Sequence, residues 1–168
     1  MATTYTLIAS NTLSSSAASV AFTGIPQTFT DLVARYSIRN DAGYAQIFDD
    51  VTAGGGNSWT RIEGDGSSAT SARQTGNSWL SKAAVGSTAT GNTFSNGELY
   101  IPRYSVAGVT KPSSVFSVTE NNATTAYITV QARYTTNTSA ITSLNFSPSN
   151  ANNFVSGSSF FLYGIKNS

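Results

Sequence analysis

Between Asp31 and Arg39, the residues Leu32, Ala34, Tyr36 and Ile38 alternate with Val33, Arg35, Ser37 and Arg39. Successive side chains of a strand point to opposite faces of a sheet, so this period of two predicts a strand with one buried face. Short alternating or β-branched runs recur along the rest of the chain. They are Tyr5–Ala9, Ser19–Thr23, Tyr44–Phe48, Ser58–Glu63, Trp79–Val85, Asn96–Ile101, Ser114–Glu120, Ala126–Tyr134, Ile141–Ser147 and Ser159–Ile165. In the last run, Phe160-Phe161-Leu162-Tyr163 reads as a strand buried at its inner positions. Clusters of Gly, Asn, Ser and Pro separate the runs at intervals of about 8–12 residues, the spacing of sandwiches and barrels. Helical signals are poor: Ser14–Ala18 has three consecutive serines and no i, i+3, i+4 stripe.

These runs predict an all-β chain, a two-sheet antiparallel sandwich forming one domain over residues 1–168, with inner faces of Leu, Val, Ile, Phe and Tyr. Strand number and length fit a jelly roll. The tetrapeptides Gly56-Asn57-Ser58-Trp59 and Gly76-Asn77-Ser78-Trp79 repeat, which suggests two similar turns, each delivering a tryptophan to the next strand. The intervening stretch, Gly64 to Asn77, is expected to be a long exposed loop.

Charged residues make up 10% of the 168-residue chain, against about 25% in an ordinary soluble domain. Ser, Thr, Asn and Gly take their place, so the expected surface is one of hydroxyls and amides. The net charge is +1 and the basic residues are scattered from Arg35 to Lys166, which gives no footprint for nucleic acid. The start after Met1 is polar, unlike a signal peptide, and no run approaches the roughly 18 apolar residues of a membrane span. The expectation is a chain made and kept soluble in a cytoplasm, with no membrane partner.

With no Cys and no His, disulfides, thiolate chemistry and the commonest general base and metal ligand are missing. Glu98 and Glu120 could neighbour each other across strands, the one arrangement that would serve a glycosidase-like acid pair, yet solvated strand positions explain them better. Glu63-Gly64-Asp65-Gly66 and Asp49-Asp50 lack the spaced acids of a calcium loop, and Gly-Asp-Gly fits a turn. Gly54-Gly55-Gly56 lacks the Lys-Ser/Thr of a phosphate loop. The sequons at Asn122, Asn137 and Asn145 carry little weight without a secretory signal. No enzyme activity, cofactor or metal is therefore expected. Trp59 and Trp79 could form a sugar-stacking platform, anchor a subunit interface, or cap the core. Tyr100-Ile101-Pro102-Arg103-Tyr104 ends a strand at Pro102. Trp59, Arg61, Trp79 and Tyr104 stand as candidate surface or interface contacts.

Several segments, taken in order, resemble a family of small virion proteins of tailed phages of aquatic bacteria. They are Tyr5-Thr6-Leu7-Ile8-Ala9-Ser10, Ile25-Pro26 with Phe29-Thr30-Asp31-Leu32-Val33, and Gly56-Asn57-Ser58-Trp59 with Arg61 and Gly64-Asp65-Gly66. Glu98-Leu99-Tyr100-Ile101-Pro102, Glu120-Asn121-Asn122-Ala123-Thr124 and Phe161-Leu162-Tyr163-Gly164-Ile165-Lys166 continue the series. At Asp49-Asp50-Val51-Thr52-Ala53-Gly54 the chain departs from that pattern, which usually leads into an Asn-Gly turn. The resemblance implies a homotrimeric jelly roll that decorates and cements a phage head, with the major capsid protein or other virion proteins as partners. Its place would be the virion surface, after synthesis in the host cytoplasm. The alternative it implies is a receptor- or carbohydrate-binding module of a tail fibre, with a host surface glycan as partner.

Overall fold

The computed structural model describes residues 4–42, 45–49, 57–76, 79–120, 126–149 and 151–166. The first half of the chain forms β1 (Tyr5–Thr12), β2 (Val20–Thr23), β3 (Asp31–Ile38), β4 (Ala45–Asp49), β5 (Asn57–Gly64) and β6 (Ala69–Thr75). The second half forms β7 (Trp79–Ala84), β8 (Ser95–Ile101), β9 (Ser113–Glu120), β10 (Ala126–Thr135), β11 (Ser143–Pro148) and β12 (Ser159–Ile165). No helix occurs among the described residues.

The strands make two antiparallel sheets, one of eight strands ordered β1-β12-β3-β8-β9-β10-β5-β6 and one of four ordered β2-β11-β4-β7. The pairings β1 with β12, β2 with β11, β3 with β8 and β4 with β7 trace a long ribbon folded back on itself. Rolling that ribbon brings β12 beside β3 and β11 beside β4, so its segments alternate between the two sheets. This is a jelly roll. Two hairpins are inserted into it: β5–β6 lies between β4 and β7 in sequence, and β9–β10 between β8 and β11. Both add to the free edge of β8, lengthening the larger sheet by four strands.

The core lies between the sheets. Leu32, Ile38, Leu99, Phe160 and Leu162 point inward from the large sheet against Leu80, Leu144 and Phe146 of the small one. Phe146 sits at the centre, 6.1 Å from the Tyr36 ring and 5.5 Å from that of Phe160, and Phe160 meets Phe154 edge-on at 5.0 Å. Such tilted aromatic contacts bind somewhat better than their buried area alone implies. Two strand glycines make room for these rings. A Cβ on Gly97 would fall within the Tyr36 ring, and one on Gly164 within that of Phe29.

One expectation requires correction. The stretch Gly64 to Asn77 is not a long loop, because Ala69–Thr75 pairs residue for residue with β5, from Gly64↔Ala69 to Ser58↔Thr75. Its Ala, Thr, Ser, Arg and Gln side chains carry no apolar alternation, so no period of two announces the strand. Backbone hydrogen bonds to β5 hold it as an exposed edge. The turn is built by Asp65, whose carboxylate accepts from the backbone N–H groups of Ser67 at 2.9 Å and Ser68 at 2.7 Å. These bonds hold the Asp65 carboxyl down at about 2. The turn reading of Gly-Asp-Gly therefore has a direct structural cause.

Candidate interaction surface

In β5, β9 and β10 the usual distribution of side chains is largely reversed. Besides Trp59 and Val115, the side facing the molecule carries Glu63, Ser117, Thr119, Thr129, Gln131 and Arg133, all buried. The Ser117 and Thr119 hydroxyls have no hydrogen-bond partner among the described residues. The side facing solvent carries Ile62 at 61% exposure, Val130 at 50%, Ile128 at 47%, Tyr134 at 47% and Phe116 at 45%. Single exposed apolar residues are ordinary; a buried polar layer under a contiguous apolar face is not.

Register makes this face contiguous. Val130 stands directly opposite both Ile62 on β5 and Phe116 on β9, and Ile128 stands opposite Val118. Side chains so opposed are within van der Waals reach. With about half of each side chain open, the five residues expose on the order of 400 Å² of apolar surface, a size at which such patches often mark interaction sites. That is about half of what one partner contributes to a standard protein interface.

Under this face, β5 presents Trp59, Arg61 and Glu63 inward. The Arg61 guanidinium lies 5.4 Å from the centre of the Trp59 ring, and its Nη2 is 3.6 Å from Glu63 Oε2. Trp59 is buried, so it cannot serve as a platform for stacking a sugar, and Arg61 is spent on holding it. Tyr104 is fully buried, and its hydroxyl donates to the Pro26 carbonyl. As candidate surface contacts, Trp59 and Tyr104 are thus corrected to core residues. Trp79 opens β7 opposite Phe48, while its side chain lies outside the described residues. The Gly54-Gly55-Gly56 run, Asp50, Asn122 and the position of the turn expected at Asn77-Ser78 also lie outside them.

The acids do not converge. Glu98 forms an ion pair with Arg35 Nε at 2.8 Å. Glu120 accepts from Thr90 N at 2.8 Å and from the Thr93 hydroxyl at 2.7 Å. Together with Arg39, whose Nη1 donates to the Thr90 and Thr93 carbonyls, it fastens the connection between β7 and β8. Glu98 and Glu120 are not cross-strand neighbours, since Phe116 is the residue opposite Glu98. Asp31 is buried and accepts from the Tyr100 hydroxyl and Arg103 N, each at 2.8 Å. Burial and this bond push the Tyr100 hydroxyl up to about 12. No group of three or more His, Cys, Asp or Glu is placed to hold a metal among the described residues.

Of the features that matter on this surface, sequence reasoning missed the exposed apolar row. Its alternation with Thr129, Gln131 and Arg133 was visible, but which side of the strand is covered was not. Compared with known proteins, the chain matches no family model, no curated sequence and no solved structure.

Proposed function

We propose that this chain is a phage virion structural protein, a homotrimeric decoration protein that cements the head surface. The observation that carries the reading is the reversed sheet extension. A protein that ended its life as a free monomer would keep Ile62, Ile128, Val130 and Tyr134 in water at a cost in solubility. A copy–copy contact in the trimer covers them. The ordered resemblance to small tailed-phage virion proteins supports the same reading, as does the low-charge surface of hydroxyls and amides. Such a surface can form many weak hydrogen bonds to the major capsid protein, and threefold repetition converts weak contacts into lasting attachment. On this account the protein is not an enzyme, uses no cofactor, and reaches the virion surface after synthesis in the host cytoplasm.

The fibre-module alternative leaned on exposed tryptophans, and the burial of Trp59 removes half of that platform. The test of the leading reading is association. Sedimentation equilibrium of the full chain is expected to give a trimer, and Val130→Asp combined with Ile62→Asp to give a folded monomer. A wild-type chain that stays monomeric at high concentration would overturn the decoration role.

A further inference from the structure

The outer face of the original jelly roll carries a second feature, separate from the apolar extension except at Phe116. Phe161, Arg35, Glu98 and Phe116 stand directly opposite one another in a row across β12, β3, β8 and β9. The next row along the strands holds the short side chains of Ser37 and Asn96. Between the rows runs an open trough of about 340 Å³, its floor the strand backbone at Tyr36 and Gly97. Three strand spacings, about 14 Å, separate the two phenylalanine positions.

The polar middle of this row is fixed in advance. Arg35 is exposed, yet its Nε donates to Glu98 Oε2 at 2.8 Å and its guanidinium carbon lies 5.5 Å from the Tyr5 ring and 6.0 Å from the Tyr163 ring. The hydrogen bond to Glu98 holds the guanidinium even more firmly charged than usual. A free surface arginine loses much rotamer freedom when it binds something, and here that loss has already occurred. The second Glu98 oxygen and the terminal guanidinium nitrogens remain available, an acceptor and donors side by side with no net charge.

We infer that this trough binds a short, neutral oligosaccharide. Adjacent sugar hydroxyls both donate and accept, which suits a carboxylate beside a guanidinium, and Asn96 and Ser37 add an amide and a hydroxyl along the other wall. The C–H faces of pyranose rings suit the exposed Phe116 ring at one end and the half-buried Phe161 ring at the other. Other occupants fit less well. An anion would sit against Glu98, and a peptide seeking strand addition would find every one of these four strands already paired on both sides.

The site does not rest on the decoration role, and the readouts are separable: oligomer mass tests that role, glycan binding tests this site. The experiment titrates the ¹⁵N-labelled full chain with cellotriose, maltotriose, mannotriose and chitotriose, and with a sialylated trisaccharide as acidic control. The expected result is that at least one neutral trisaccharide shifts the amides of Ser37, Asn96 and Gly97. Phe116→Ala, Phe161→Ala and Glu98→Gln should each weaken it by roughly tenfold. The Glu98→Gln variant, which lies outside the apolar face, should melt and associate like the wild type, so its loss of binding would reflect neither unfolding nor dissociation. Failure of every neutral probe at millimolar concentration, equal binding of the sialylated control, or binding that survives both phenylalanine substitutions would each overturn the assignment.

Discussion

The original jelly-roll strands and the inserted hairpins use the same sheet in opposite senses. In β3, β8 and β12, leucine, isoleucine and aromatic side chains face the small sheet and are closed from water. In β5, β9 and β10, which continue the same ladder of hydrogen bonds, serine, threonine, glutamine, glutamate and arginine take most of the inner side beside Trp59 and Val115, while isoleucine, valine, phenylalanine and tyrosine look outward. The first region is stabilised by what it buries within the chain. The second leaves its apolar side chains open to water, the arrangement that the proposed association would cover. A sheet can thus be extended chiefly by backbone pairing, with few apolar side chains beneath the new strands and an apolar face left open on the other side.

That contrast can be broken by mutation, most forcefully at the centre of the core. Phe146→Ala should lose about 3–5 kcal/mol in denaturant unfolding, because a ring packed on three aromatic neighbours leaves a cavity that the two sheets cannot close. The same truncation at Val130 should stay within about 0.5 kcal/mol for the dissociated chain. Equal losses at the two sites would erase the distinction. Gly97→Ala should cost about 1–3 kcal/mol, since the new methyl group competes with the Tyr36 ring for one space. An unchanged melting temperature would show that Tyr36 swings aside at no cost.

The smallest effect concerns acid. Asp41, which accepts from Asn153 N and Nδ2 at 2.9 Å each, has its carboxyl held below the usual range by those bonds, and Asp65 is held at about 2 by the Ser67 and Ser68 amides. A carboxyl depressed in the folded state adds stability that is present above its unfolded value near 4 and fades as pH falls through its folded value. Denaturation midpoints should therefore decline gently from about pH 4 towards pH 2, and Asp41→Asn with Asp65→Asn should flatten the slope. A slope unaffected by the double substitution would place the acid sensitivity elsewhere.

How far the sequence spoke for itself follows the same division. The alternation in Asp31–Arg39 and the inner positions of Ser159–Ile165 could be read directly, because one face of each is apolar and buried, as a period of two implies. Ala69–Thr75 could not, since an exposed edge strand needs no apolar residues and is defined by its partner's backbone. The reversed face was half legible: Ile128 and Val130 alternate cleanly, but periodicity is blind to which side a second layer covers. The Arg35–Glu98 pair joins residues 63 positions apart, and only the β3–β8 register brings them together. For Trp59 a Ser- and Asn-rich setting left a surface and a core position both open, and Arg61 with the strand's inward side decides for the buried one.

The most direct measurement is a reconstruction of the assembled virion at side-chain resolution. The account predicts three copies clustered on the head surface, with Ile62, Ile128, Val130 and Tyr134 of each closed against a neighbouring copy. A particle in which these four side chains face open solvent would contradict it.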